Sequence, residues 1–133
     1  MIAVNLSAAT DRDRKPTVID DSHLERMTLG DRRLEREVLE LFVRQTTIML
    51  SRIVGAEPGL AAAAAHTLKG SARGIGAWRV ARAAELLEHA AGVAGHEDDV
   101  AEAIAELKAA SLEASAAIGA RLTVLFAELA RDR

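Results

Sequence analysis

The residues best suited to chemistry in this chain lie close together in sequence. His66 is followed by Lys69, Gly70 and Arg73 at three, four and seven residues beyond it. On a helix with about 100° between residues, these spacings place all three within about 60° of the histidine. A neutral imidazole offers a nitrogen lone pair near neutral pH, and a nearby cation offsets the charge of phosphoryl oxygens. The pattern therefore indicates a histidine that attacks phosphorus.

The surface predicted around His66 is low enough for a second protein to approach. Ala62 and Ala63 precede the histidine, and Gly70 has no side chain that would obstruct a docking partner. Lys69 is the better candidate for stabilising a phosphoryl group. Arg73 remains open to two interpretations, a partner contact or an ordinary solvated charge. We expect His66 to react inside the cleft of another protein, because the site needs no pocket of its own.

The elements that must position these residues are helical. Hydrophobic residues make up 50% of the 133-residue chain and aromatic residues only 2%. Alanine and leucine, which are strong helix formers, dominate, whereas residues that favour strands are sparse. A chain of this length normally forms one domain around one core. The composition therefore predicts a single all-α domain.

Capping residues and helix breakers predict five helices. A short helix capped at residues 20–22 should end near Gly30, and a long one should run from Asp31 to a break at residues 55–58. Three further helices are expected over 59–73, 77–93 and from 97 onward, where Gly119 allows a bend. Residues 1–19 are expected to be a flexible lead-in. We predict that residues 20–133 form an antiparallel up-down four-helix bundle with a short additional N-terminal helix.

Apolar residues at three- and four-residue steps predict which helix faces point inward. In the last helix this face runs from Val100 to Leu129 and includes Leu112. In the third helix it comprises Leu60, Ala64, Leu68, Ser71 and Ile75. In the second helix it comprises Leu34, Val38, Leu41, Phe42, Gln45, Ile48, Met49 and Ile53. His66 lies about 160° around the helix from Leu68, so we expect it to be solvent-accessible.

Composition also argues against several classes of partner. The formal net charge is -3, with basic and acidic residues interleaved, which predicts no binding to nucleic acid. The absence of cysteine excludes disulfides and thiolate metal sites. No N-terminal run combines a basic start with a long apolar stretch, so we expect a soluble cytoplasmic protein without a membrane partner.

Rival chemistries fail on residue spacing. A di-iron bundle needs Glu-x-x-His pairs, but Leu86 stands three residues before His89. A zinc-protease pattern starting at His96 would need a second histidine where Val100 stands. Residues 69–71 read Lys-Gly-Ser, which is not the Gly-Lys-Ser order of a phosphate-binding loop. Neither a metal site nor a nucleotide site is predicted.

Residues 66–77, HTLKGSARGIGA, resemble the signature of histidine phosphotransfer domains. That signature reads His-x-Leu-Lys-Gly-Ser-Ala, followed by a hydrophobic residue before Gly-Ala. The resemblance implies that His66 is the phosphorylated histidine, that Lys69 stabilises the phosphoryl group and that Gly70 is the small residue beside it. The LLE run at 86–88 in the following helix is similar to the family pattern as well.

The resemblance further implies a phosphoryl carrier in a multistep two-component phosphorelay, without autonomous kinase activity. Its partners would be response-regulator receiver domains and a hybrid sensor histidine kinase. The chain would need no cofactor of its own, because the receiver domain supplies Mg²⁺. Thr67 follows the histidine, where the dimerisation domain of a sensor kinase normally carries an acidic residue. The alternative is a non-transferring helical adaptor that binds receiver or kinase domains through the same surface.

Overall fold

The computed structural model describes residues 18–92 and 97–131, and every regular element in that part of the chain is an α-helix. The predicted all-α fold is therefore confirmed. The bounds of the third and fourth helices lie within two residues of those predicted. The helices are α1 (Asp21–Met27), α2 (Arg32–Ile53), α3 (Pro58–Ile75), α4 (Trp78–Gly92) and α5 (Glu97–Arg131).

The helices begin and end where the sequence supplies capping groups. Asp31 accepts hydrogen bonds from two N–H groups in the first turn of α2, at 3.0 and 3.2 Å. Asp20 caps α1 by accepting from the N–H of His23 at 3.1 Å. Gly76 ends α3 in a left-handed conformation with φ 79°. Only two residues then separate α3 from α4, which makes a tight reversal.

The four long helices contact one another in a closed ring. α2 packs on α3, α3 on α4, α4 on α5 and α5 again on α2, while α1 lies against α3. Along one side of this ring, Lys69 pairs with Glu88 and Arg73 pairs with Glu85. The later residue of α3 thus pairs with the earlier residue of α4, so the two helices are antiparallel. The ring is consistent with the predicted up-down bundle.

The predicted inward face of α2 is partly wrong. Polar side chains occupy part of the buried face because their hydrogen bonds are satisfied there. The hydroxyl of Thr46 donates to the carbonyl of Phe42 at 2.7 Å. The carboxylate of Glu35 accepts two hydrogen bonds from Arg121, at 3.1 and 3.2 Å. The apolar side chains displaced from this face are exposed: Leu34, Leu41 and Ile48.

The predicted inward face of α3 is shifted by about one residue. Leu60 is 62% exposed, and Ala64 is only half-buried. Ser71, also half-buried, donates to the side-chain oxygen of Gln45 at 3.3 Å. The small alanines of the true face let α3 pack closely on α4. That face consists of Ala61, Ala65, Leu68, Ala72 and Ile75.

The last helix is continuous through Gly119 and uses one face for the core. Leu107 and Leu125 are fully buried as predicted, but the prediction for Leu112 is wrong, because its side chain is 72% exposed. Leu112 lies about 140° around the helix from Leu107 and therefore points away from the bundle. One 18-residue window of α5, with a mean hydropathy of 1.3, meets the length and composition criteria for a membrane span. Core helices of soluble bundles meet the same criteria.

The bundle begins before residue 20. Ile19 is 9% exposed and belongs to the core, and Val18 packs against that core. Residues 1–17 of the predicted flexible lead-in lie outside the described part of the chain.

We expect Gly76→Ala to lower the free energy of unfolding by about 1–2 kcal/mol or more. At φ 79°, a Cβ at this position would lie 2.9 Å from the Cβ of Asp20. Asp20 cannot retreat easily, because its N–H donates to the Gly76 carbonyl at 3.0 Å. Chemical denaturation measures the loss. Gly74→Ala, on the same helix and facing open space, is the control and should be neutral or slightly stabilising. Equal stability of Gly76→Ala and the wild type would contradict this close contact.

Candidate functional site

α3 holds His66 outward, on the side of the helix opposite the core. The imidazole side chain is 71% exposed, whereas Leu68 is 1% exposed. This exposure agrees with the expectation from the spacing of the two residues. The histidine therefore stands where another protein can reach it.

The residue that contacts His66 comes from α4. Oε2 of Glu88 lies 2.5 Å from Nδ1 of His66, and Oε1 accepts a hydrogen bond from Nζ of Lys69 at 2.7 Å. One carboxylate thus joins the histidine and the lysine. Because a carboxylate can only accept, Nδ1 of His66 must carry the proton in this contact. In the neutral imidazole the lone pair then resides on Nε2.

The Glu88 carboxyl group is well suited to remain ionised. The hydrogen bond from Lys69, followed by that from His66, lowers the pKa of Glu88 below its ordinary value, although partial burial opposes the shift. A carboxyl group with a lowered pKa keeps its contacts at all pH values above the ordinary glutamate pKa. These contacts are lost only as the pH falls through the lowered value. Glu88 is therefore a carboxylate throughout the neutral range.

The two cations near His66, Lys69 and Arg73, both pair with carboxylates of α4. Lys69 was expected on the open surface, but its side chain is only 14% exposed and is directed at Glu88. Arg73 lies 3.8 Å from a carboxylate oxygen of Glu85. The antiparallel register of α3 and α4 explains this pairing, because it sets the carboxylates of one helix opposite the cations of the other. Lys69 is thus connected to His66 through Glu88.

The small residues around His66 leave the surface open. Gly70 is exposed, and a Cβ built there would meet nothing within 4 Å. Ala63 is exposed and Ala62 is half-buried. Further along α3, beyond Gly70, an apolar groove lies between α3 and the α1–α2 segment. The lining of this apolar groove includes Met27, Val38, Leu41, Gln45, Ser71 and Gly74.

The contact between Glu88 and His66 was not predicted from the sequence. The signal that could have found it is the two-residue connection between α3 and α4. Antiparallel helices joined by such a short turn bring residues equally distant from it to the same level. His66 lies ten residues before Gly76, and Glu88 lies eleven after Ala77. Glu88 is thus the acidic residue at the level of the histidine.

Comparisons with known proteins show which family this chain resembles. A family model described as the Hpt domain matches residues 37–118. The crystal structure of histidine phosphotransferase ShpA from Caulobacter crescentus is 31% identical in sequence, with a TM-score of 0.58. That match covers 84% of this chain and 98% of the other. A comparison with functionally curated proteins gave no match.

A more distant structure supports the fold alone. It is that of a rice protein described as a histidine-containing phosphotransfer protein, at 16% identity and a TM-score of 0.72, covering 92% of this chain and 89% of the other. The family model spans more than half of the chain and includes the helix that presents His66. The chain therefore belongs to the Hpt domain family, whose members carry phosphoryl groups in two-component signalling and are not kinases.

Proposed function

We propose that His66 accepts a phosphoryl group from the aspartyl phosphate of a receiver domain and passes it to another response regulator. The donor receiver would belong to a hybrid sensor histidine kinase, and the relay would operate in the cytoplasm. The observation that carries the proposal is the contact between Glu88 and Nδ1 of a largely exposed histidine. This contact leaves Nε2 as the nucleophile.

The transfer step needs no proton to move. The Nε2 lone pair of His66 attacks phosphorus, the bond between phosphorus and the aspartate oxygen breaks, and the aspartate leaves as a carboxylate. Nδ1 keeps its proton, so the ring gains a positive charge in the phosphorylated state. The Glu88 carboxylate stabilises that charge. Transfer to the next aspartate runs the same steps in reverse.

Two further cations take part in the proposed transfer, one from this chain and one from its partner. Lys69 would offset the charge on the phosphoryl oxygens, because its ammonium group is held close to His66 by the same Glu88 carboxylate. Within residues 18–92 and 97–131, no three histidine or acidic side chains are grouped so as to hold a metal ion. We assign Mg²⁺ to the receiver domain.

The apolar groove, which lies further along α3 than the histidine, supports docking of the partner. Met27 and Leu41 on its rim are 57% and 46% exposed, and a receiver that covered them would bury apolar area. An adaptor that never accepts phosphate would use the same surface. The groove therefore does not distinguish a carrier from an adaptor, and the test must follow phosphate.

The test is a two-step transfer assay. A labelled, phosphorylated receiver with Mg²⁺ is mixed with the chain, and a second, unlabelled receiver is added afterwards. We expect acid-labile, base-stable label on the chain and then on the second receiver, and no label when the chain is incubated with ATP alone. If several receivers bind the chain but none transfers label to it, the adaptor is correct and the carrier is wrong.

We expect Lys69→Ala to slow phosphoryl acceptance by about tenfold, a loss of about 1.4 kcal/mol in transition-state stabilisation. The reason is the loss of the cation to which the proposal gives the role of offsetting the charge on the phosphoryl oxygens. Quench-flow measurement of label transfer gives the rate, and far-UV circular dichroism should show unchanged helicity. Lys108→Ala removes an exposed lysine from α5 and should leave the rate unchanged. Wild-type kinetics for Lys69→Ala would contradict the role given to this lysine.

A further inference from the structure

The long helix α5 has an exposed face that the other described helices leave largely uncovered. Eight uncharged residues follow one another along α5 at alternating steps of four and three, and all eight are exposed. They are Ala105, Ala109, Leu112, Ala116, Gly119, Thr123, Phe126 and Ala130. They lie within about 100° of one another on the helix. Two of them, Leu112 and Phe126, have large side chains, which are 72% and 53% exposed. We call these eight residues the α5 face.

The bundle makes little use of the α5 face, although the guanidinium of Arg36 on α2 lies 5.6 Å from the centre of the Phe126 ring. Leu107 and Leu125, which anchor α5 in the core, are fully buried on the opposite side of the helix. The face is about 38 Å long at 1.5 Å per residue. Its spacing of 3.5 residues is the repeat by which two helices pack along a shared seam. A second helix therefore fits this face better than an irregular segment does.

We propose that a second copy of this chain binds antiparallel along the α5 face, with a two-fold axis between Ala116 and Gly119. Around this axis, large side chains of one copy meet smaller ones of the other. Leu112 would lie opposite Thr123 of the second copy, and Phe126 opposite its Ala109. A two-fold contact is self-complementary and closes after two subunits, so no fibre forms.

The charges at the two ends of α5 favour the antiparallel direction. The first turns are acidic, and Asp98, Asp99 and Glu102 make no ion pair with the described residues. Near the other end, Arg131 and Arg33 of α2 likewise make no ion pair within the described chain, and Glu37 is an acidic residue in the same hollow as Arg33. An antiparallel pair brings the acidic end of each copy to this basic end of the other. A parallel pair would set two acidic ends side by side.

A membrane is the less suitable occupant for this face. Helices that lie on a membrane surface carry lysine and arginine on their polar side, whereas the first two turns of α5 carry Glu97, Asp98, Asp99 and Glu102. A face about 10 Å wide has a footprint of about 400 Å² per copy, or about 800 Å² in total, which is below the area of a standard interface and corresponds to a weak, concentration-dependent dimer. α3 lies across the ring from α5, so His66 stays accessible in both copies.

Cysteine cross-linking tests the direction and the axis, because the chain has no cysteine of its own. Under mild oxidation at about 100 µM protein, Ala116→Cys lies beside the axis and should form a disulfide-linked dimer. Ala105→Cys should stay monomeric, since an antiparallel pair separates the two copies of residue 105 by about 38 Å. Linkage at 105, or linkage at neither position, would overturn the proposal.

Sedimentation equilibrium of the full-length chain tests the association itself. Between about 10 and 500 µM, the wild type should shift from monomer toward dimer. Leu112→Glu should remain monomeric with unchanged helicity. Leu60→Glu, at another exposed leucine, on α3, should dimerise like the wild type. A wild type that stays monomeric overturns the proposal, and flotation of that monomer with phosphatidylcholine vesicles would assign the face to a membrane.

Discussion

Replacement of His66 by glutamine is expected to abolish phosphoryl acceptance while leaving receiver binding intact. The glutamine amide has no nitrogen lone pair that can attack phosphorus, and the position is exposed, so the fold should not change. Label transfer from a phosphorylated receiver measures acceptance, and calorimetric titration with the unphosphorylated receiver measures binding. The expected label on the variant is below detection at any reaction time.

A second histidine provides the control for this experiment. His89 is also exposed and lies on α4, one residue after Glu88. His89→Gln should accept label at the wild-type rate. Equal label on His66→Gln and the wild type would show that a different residue is the acceptor, and the proposed mechanism would then be wrong.

Replacement of Glu88 by alanine is expected to slow acceptance by about 10–100-fold and to make it less selective between the two ring nitrogens. Without the carboxylate, the Nδ1 proton of His66 has no fixed acceptor, so both tautomers become available for attack. The positive charge of the phosphorylated ring also loses its counter-ion. Quench-flow kinetics measures the rate, and chromatography of the two phosphohistidine isomers measures the selectivity.

The conservative variant Glu88→Gln separates the two roles of this side chain. Its amide oxygen still accepts a hydrogen bond from Nδ1, so selectivity for Nε2 should be retained. The negative charge is lost, so the rate should still fall. A selective but slow Glu88→Gln beside an unselective Glu88→Ala is the expected pair of results. Full selectivity in Glu88→Ala would show that Glu88 does not position the ring.

The fold was largely predictable because its signals are local. Asp31 and Gly76 cap helices through contacts within a few residues, and such contacts can be read from sequence. The predictions of burial were wrong where burial depends on a residue that is distant in sequence. Glu35 faces the core only because Arg121, on another helix, satisfies its carboxylate. Leu112 is exposed although the apolar pattern predicts burial, since periodicity cannot distinguish a covered face from an uncovered one.

The predictions for the candidate site differ in the same way, between features of one helix and contacts between two helices. The exposure of His66 follows from its angle to Leu68 within a single helix, so the sequence was sufficient. The orientation of Lys69 toward α4 depends on how two helices pack against each other, so the helix spacing alone predicted a position on the open surface. Glu88 was noticed only as part of a family-like run of residues. Its contact with Nδ1 requires the register fixed by the turn at Gly76.

We expect the phosphoryl group to be carried on Nε2 of His66. NMR of the ¹⁵N-labelled chain, phosphorylated by a receiver domain, tests it directly through the coupling between phosphorus and the imidazole nitrogens. We predict one phosphohistidine, at His66, with phosphorus bonded to Nε2 and a proton retained on Nδ1. Phosphorus bonded to Nδ1, or to any residue other than His66, would contradict the mechanism.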